Sequence, residues 1–330
     1  MVLAGAVALA LQPAYAQWKP TKPIEFVIQT NPGGGSDKYA RFWIGIIEKY
    51  KLSPVPFIPV NKPGGGGAVA LTFLHGKRGD PHYVTPTLNS VITRPLLTKI
   101  PVMYPSKDLT PIVMMVMDPF LLVVHPDNFK SFEDWKAACR ERTLTSTGTG
   151  VKQEDEIQLF MLQRAVGCKP FRYVPQRGGG SVAKAVAGKH ADFNVNQPAE
   201  MLPHYPKRLI PILAFSKKRY GAFPDVPTHY EKGVNSKWAD LLSLEGGLHQ
   251  MRGLIGPPGI PEEAIEWYEN LFRKIWESKE WQGFMKKRAM VRQFLKHEAY
   301  RKFLSRYEKD HLRVMRDVIG WKLRDDLKVK

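Results

Sequence analysis

The sequence predicts an α/β protein made of two successive halves, closed by a helical tail. Three observations predict it. Short β-branched or aromatic runs alternate with segments of helical period. Four of the strand-to-helix junctions are rich in glycine. The chain has 330 residues, 43% hydrophobic and 24% charged, which suits two packed cores.

Taken in order, Ile24 to Ile28 reads as a strand, broken by Asn31-Pro32-Gly33-Gly34-Gly35-Ser36-Asp37. A helix follows, with Tyr39, Phe42, Trp43, Ile46 and Ile47 on one face. Phe57 to Val60 is a second strand, running into Pro63-Gly64-Gly65-Gly66-Gly67 and an apolar helix to Leu74. Tyr83 to Leu88 is a third strand, and this order describes a parallel sheet. Ile112 to Met117 and Phe120 to Val124 are continuous apolar runs, as strands buried on both faces require. Ser131, with Asp134 three residues on, starts a helix that runs to about Arg142.

The second half repeats the device. Leu144 to Thr147 is a strand, followed by Gly148-Thr149-Gly150 and a helix over Glu154 to Val166. Phe171 to Val174 is a strand, and Gly178-Gly179-Gly180 precedes a helix over Val182 to Ala187. Asp192 to Val195 and Leu209 to Phe215 complete the set. Pro224-Asp225-Val226-Pro227 is a turn-rich link, and Gly256-Pro257-Pro258-Gly259-Ile260-Pro261 marks a boundary. The tail beyond it reads as helical throughout, with Ile265, Tyr268, Phe272 and Ile275 on one face and Tyr300, Phe303, Leu304 and Tyr307 on another.

At the start, the apolar run Val2 to Leu11 is too short to span a bilayer. Ala14-Tyr15-Ala16 follows with the small-x-small pattern of a signal-peptidase site. Residues 1–16 are therefore expected to be a cleaved signal peptide, leaving Gln17 first. No Lys or Arg precedes the run, and the plainer alternative is a frayed apolar terminus. Cys139 and Cys168 lie 29 residues apart. In an oxidising compartment they form one disulfide; otherwise they are two buried thiols.

The chemistry rests on the glycine turns. A helix start carries unpaired N–H groups and a partial positive charge, and glycine lets an anion approach them. Common enzyme templates are missing. There is no Walker A sequence, no GxGxxG with a ribose-binding acid, no nucleophile elbow and no zinc-ligand spacing. Asp37 and Glu154-Asp155-Glu156 stand at helix starts and read as caps and first-turn charges. No metal, cofactor or catalytic residue is expected. A formal charge of +18 invites an anionic partner. In the C-terminal helices the basic residues alternate with acids and apolar positions, as on a solvated face, and no nucleic-acid motif is present.

These turns, with their neighbours, resemble the Bug family of receptors for tripartite tricarboxylate transporters. The resemblance is carried by Lys22-Pro23-Ile24, by the turn from Pro32 to Asp37 with Ala40-Arg41, and by Asn61-Lys62-Pro63 with its four glycines. It continues through Asp108-Leu109-Thr110-Pro111, Val123-Val124-His125-Pro126, Gly148-Thr149-Gly150 and Tyr173-Val174-Pro175. Ala187-Gly188-Lys189-His190-Ala191-Asp192, Phe223-Pro224-Asp225-Val226-Pro227-Thr228 and Pro257-Pro258-Gly259-Ile260-Pro261 complete it.

The resemblance implies a two-lobe, type II-like periplasmic binding-protein fold with the ligand cleft between the lobes. It implies lobe 1 over 17–125 plus 241–330 and lobe 2 over 126–240. It implies a periplasmic, monomeric solute-binding protein, not an enzyme, with no nucleic-acid partner. The ligand would be a small mono- or dicarboxylate, aromatic acids included, passed to a membrane permease. The alternatives of another class are an α/β enzyme with a glycine-loop anion site and a basic nucleic-acid-binding protein.

Carried onto this chain, the first-lobe grip is Thr30, Asn31, Gly33, Gly34, Gly35, Ser36 and Asp37. The second-lobe grip is Thr147, Gly148, Thr149 and Gly150. Asn89, Ser90, Gly178, Gly179, Gly180 and Gln197 are expected to face the cleft. Two departures from the family pattern stand out: the polar Gln29-Thr30-Asn31, and Lys152 with the acids that follow it. Lys152 would add a positive charge near the ligand, and the acids would repel an anion.

Overall fold

The computed structural model describes residues 18–234 and 249–327. The expected signal peptide lies outside them, as does the second expected lobe boundary at 240/241. In chain order the elements are β1 (Ile24–Ile28), α1 (Gly35–Lys49), β2 (Phe57–Asn61), α2 (Ala68–His75), β3 (Tyr83–Pro86), α3 (Ser90–Leu97), α4 (Pro105–Asp108) and β4 (Thr110–Pro119). Then come β5 (Leu121–Val124), α5 (Phe132–Glu141), β6 (Thr145–Gly148), α6 (Glu154–Val166), β7 (Arg172–Pro175), α7 (Gly179–Ala187), β8 (Phe193–Asn196), α8 (Pro198–Met201) and β9 (Ile210–Ala214). The chain returns through β10 (His249–Gly256), α9 (Glu262–Glu277), α10 (Lys279–Lys287), β11 (Val291–Leu295) and α11 (His297–Arg313).

Two sheets result. The first has the order β11-β4-β10-β3-β1-β2 and the second β7-β6-β8-β5-β9. Glycine turns connect the parallel neighbours, β1 with β2 and β3, and β6 with β7 and β8. The expected parallel arrangement holds for β1, β2 and β3, and the whole sheet is mixed, because β10 lies antiparallel to both β3 and β4, and β11 antiparallel to β4. β11 also corrects the all-helical tail. β10 carries His249, Gln250 and Arg252 although every residue in it is buried, so its polarity hides a central strand.

The crossing between sheets also differs from expectation. β4 ends at Pro119 and β5 begins at Leu121, so the chain changes sheets at Phe120. Residues 121–124 pair with β8 and β9 and belong with the second sheet, five residues ahead of the expected boundary. The helix after the Gly178 turn starts at Gly179, earlier than the side-chain pattern suggested, because glycines carry no period.

The first sheet is covered on both faces. Trp43, Tyr268, Phe272 and Trp281 fill one side, and Leu71, Leu74, Tyr300 and Tyr307 the other. Ile157 and Met161 of α6 join the second of these clusters, so the two halves share packed surface. Trp135, Phe132 and Phe193 centre the core of the other half. There Cys139 and Cys168 form a disulfide with a Cα separation of 4.9 Å. Ser131 accepts the Asp134 N–H at 3.1 Å and caps α5, as its position in the sequence indicated. Among the described residues no helix is long and apolar enough to cross a membrane.

Candidate functional site

A cavity of about 260 Å³ opens between the two sheets, at the ends of the strands that feed α1, α6 and α7. Of the residues singled out in the sequence, Thr30, Gly35, Ser90, Thr149, Gly178, Gly179 and Gln197 line it. Gln29, Gly66, Leu88, Phe120, Gln153, Glu154, Asp155, Asn196, Glu200, Gln250 and Arg252 line it as well. Sequence reasoning placed Gln29, Glu154 and Asp155 near the ligand as departures from the family pattern and did not assign the others to the site.

The other expected residues are not among those lining it, and several of them hold the turns together. Asn89 is fully buried. Its amide donates to the His249 carbonyl at 2.8 Å and accepts the Met251 N–H at 3.0 Å, pinning α3 to β10. Thr147 is fully buried and donates to the Val174 carbonyl at 2.8 Å. A side chain on Gly148 would run into the Tyr173 hydroxyl and the Asp155 carboxylate. The Gly150 carbonyl accepts the Tyr173 hydroxyl at 2.6 Å. Asp37 holds the first turn together. It accepts from the Gly33 N–H at 2.8 Å, from Arg41 Nε at 2.9 Å and from Asn61 Nδ2 at 3.0 Å. Burial pushes its carboxyl up, but Arg41 and the two other donors outweigh burial and hold it below its usual range. Asn31 accepts the Gly34 N–H at 3.0 Å through its carbonyl.

The wall from the first sheet is electropositive. α1 has no side-chain cap, and its first ladder bond runs from the Lys38 N–H to the Gly34 carbonyl at 3.0 Å. The N–H groups of Gly35, Ser36 and Asp37 therefore lack a backbone acceptor. Thr30 Oγ1 and Ser36 Oγ are buried beside them with no partner among the described residues. Arg252, only 6% exposed, projects from β10. Its Nη2 donates to Asp118 Oδ2 at 2.9 Å, and its guanidinium lies 4.4 Å over the Tyr39 ring. Its Nε has no partner among the described residues. Its Nη1 lies 3.8 Å from where a Gly35 Cβ would sit.

The opposite wall is built from the same kind of turn but is already filled. Asp155 accepts from the Thr149 N–H, from Thr149 Oγ1 at 3.0 Å and from the Glu156 N–H at 3.0 Å. Glu156 accepts the Lys152 N–H. Glu154 accepts Thr93 Oγ1 at 3.4 Å, and burial, with Asp155 beside it, pushes its carboxyl up to about 7. Glu200 lies over the start of α7. Its Cγ is 2.7 Å from a Cβ built on Gly179, and its Oε2 is 3.5 Å from one on Gly180. The two walls meet where Arg94 Nη2 donates to the Val151 carbonyl at 2.7 Å.

No group of three or more potential metal ligands exists among the described residues. The acids at the helix starts act as caps, and the cavity joins one set of open donors to one set of acceptors.

Residues 49–318 match the family described as "Tripartite tricarboxylate transporter family receptor". A Cupriavidus necator protein, "UPF0065 protein in gbd 5'region", is 26% identical over 90% of this chain and 88% of its own length. The periplasmic binding protein BugD superposes with a TM-score of 0.76 at 19% identity, over 90% of this chain and 98% of its own. An R. palustris protein solved with adipate superposes with a TM-score of 0.77 at 17% identity, over 90% of this chain and 97% of its own.

Proposed function

The chain belongs to the tripartite tricarboxylate transporter receptor family, and from that premise we propose that its cavity captures a small organic carboxylate for a membrane permease. As a member of that family it is a solute-binding receptor and not an enzyme. The remaining points are our reading. The receptor works in the periplasm as a monomer, and its lobes are the two sheets with their helices. The lobes hinge around Phe120 and close over the ligand.

One observation carries the reading. The N-terminus of α1 presents N–H groups without a backbone acceptor beside Arg252, whose guanidinium is paired with Asp118 but keeps Nε without a partner among the described residues, in the cavity between the two sheets. Oriented N–H groups, a helix dipole and a guanidinium together suit a carboxylate. The structural neighbour solved with adipate shows that this fold can accompany a small aliphatic acid. The formal charge of +18 helps draw anions in at low salt.

The test is a thermal-shift screen of the chain from Gln17 against mono- and dicarboxylates, amino acids and nucleotides. A ligand at a hundredfold excess over its Kd stabilises the folded state by about 2.7 kcal/mol. Gly35→Ala should reduce the shift and leave the unliganded melting temperature near wild type, since a Cβ there meets nothing closer than Arg252 Nη1 at 3.8 Å. Shifts with nucleotides alone would overturn the reading.

A further inference from the structure

The open donors of this cavity and the free carboxylate of Glu200 lie on opposite walls. On the first, Arg252 is 6% exposed and its charge is balanced by Asp118, which is 1% exposed. That pair is neutral as a unit, yet Arg252 Nε and Asp118 Oδ1 both lack a partner among the described residues. The α1 donors add a partial positive charge beside it. A single carboxylate fits this wall.

On the second wall, Glu200 lines the cavity; its carboxylate makes no hydrogen bond or ion pair among the described residues, and across the cleft it faces the charges of Arg252 and Asp118. Glu154 and Asp155, 5% and 3% exposed, line the same wall. Asp155 is saturated by Thr149 and Glu156. Glu154 has Thr93, with Arg94 nearby. Only Glu200 is left with both oxygens unengaged. A second carboxylate on the ligand would meet the unpaired Glu200 carboxylate, while Arg94, the cation nearest this wall, is turned to the Val151 carbonyl and to the charges of Glu154 and Glu156. Like charges in a partly desolvated cleft disfavour such a ligand. A protonated amine would instead pair with Glu200.

We propose that the ligand is a zwitterion, its carboxylate seated on the α1 N-terminus beside Arg252 and its ammonium paired with Glu200 across the cleft. This rests on the carboxylate-receptor reading above and narrows its ligand class. Glu200 then sets specificity: it rejects diacids and selects amino acids whose two charged ends span the cavity. It also makes closure ligand-dependent, because only a ligand carrying both charges bridges the two walls.

The experiment is titration calorimetry with three series matched in chain length. One is glycine, β-alanine, 4-aminobutanoate and 5-aminopentanoate; the second is the corresponding diacids; the third is the corresponding simple monoacids. The best amino acid should bind at least tenfold more tightly than both the diacid and the monoacid of equal length. Glu200→Gln should cut its affinity tenfold or more while leaving monoacid binding within about threefold. Glu200→Lys should invert the order and favour the diacid. Glu200 lies on a short, partly exposed helix, so circular dichroism and melting of the variants are expected to match wild type. Diacids binding as well as the amino acids, or a preference unmoved in Glu200→Gln, would overturn the proposal and leave the receptor reading intact. If the folded protein binds no member of any series, both fall.

Discussion

At the start of α1 the N–H groups of Gly35, Ser36 and Asp37 have no backbone acceptor, and no side chain caps them. At the start of α6 the chain's own Asp155 and Glu156 occupy the N–H groups of Thr149, Glu156 and Lys152. Both starts follow a strand and a glycine turn, and both are positive by the geometry of the helix. Each turn has acids folded back onto it, Asp37 onto the Gly33 N–H and Asp155 and Glu156 onto those of Thr149 and Lys152; the difference is that Asp155 also takes the Glu156 N–H inside the helix. Gly-rich turns of one type can therefore supply an anion site or a finished cap, according to which acids fold back onto them. The cleft gains polarity from this: donors on one wall, acceptors on the other.

The largest effect expected from breaking this contrast lies at Arg252. It is buried with Asp118, so Arg252→Met strands an unpaired carboxylate beneath the first wall. Such a loss costs about 3–5 kcal/mol. Urea unfolding should show that loss, and Arg252→Met with Asp118→Leu should recover most of it. The double variant should still fail to bind carboxylates, which separates the packing role of the pair from its part in the cleft. Equal stability of the single and double variants would mean that the pair is not coupled.

A smaller effect comes from emptying the filled wall. Asp155→Ala leaves the N–H groups of Thr149 and Glu156 without their acceptor, for a loss of about 2–3 kcal/mol. The vacated turn should then resemble the α1 start. Sulfate, which adds little beyond its general salt effect to wild type, should restore part of the variant's stability through binding. Melting curves in sulfate and in chloride at equal ionic strength check this. If the two proteins respond alike, Asp155 does not fill an anion site.

The contrast between the walls was only half legible in the sequence. Glycine turns, strand runs and the Ser131 cap are local signals, and each falls where the structure has an element. The acids at the α6 start were legible as caps because dipole and spacing are local too. Arg252 and Glu200 were not. Arg252 sits in a strand whose polar residues conceal it, and it reaches the cleft only because β10 inserts between β3 and β4. Glu200 owes its place to the approach of α8 to the α7 turn, a tertiary contact with no periodic trace. For Asn89 the sequence showed only a polar residue after a strand; that its amide bonds to β10 is a tertiary fact with no local signal.

The smallest expected effect is one of slope, and it compares a buried acid in the cleft with one away from it. Burial pushes Glu154 and Glu308 each up to about 7, from an ordinary 4.5. Glu154 faces Thr93, Arg94 and Asp155; Glu308 accepts from Ser106, with Asp108 and Lys107 nearby. In both cases the folded protein holds a proton that the unfolded chain releases near 4.5. Between those values the folded state binds more protons, so stability falls as pH rises from about 4.5 towards 7. Glu154→Gln and Glu308→Gln should each flatten that fall, matching wild type near pH 5 and gaining on it near pH 8. Only Glu154 touches the cavity, so only its substitution should also change how ligand affinity varies over the same interval. Stability curves parallel to wild type in both variants would show that neither proton is retained on folding. A change of ligand affinity in Glu308→Gln equal to that in Glu154→Gln would place the effect in the fold and not in the cleft.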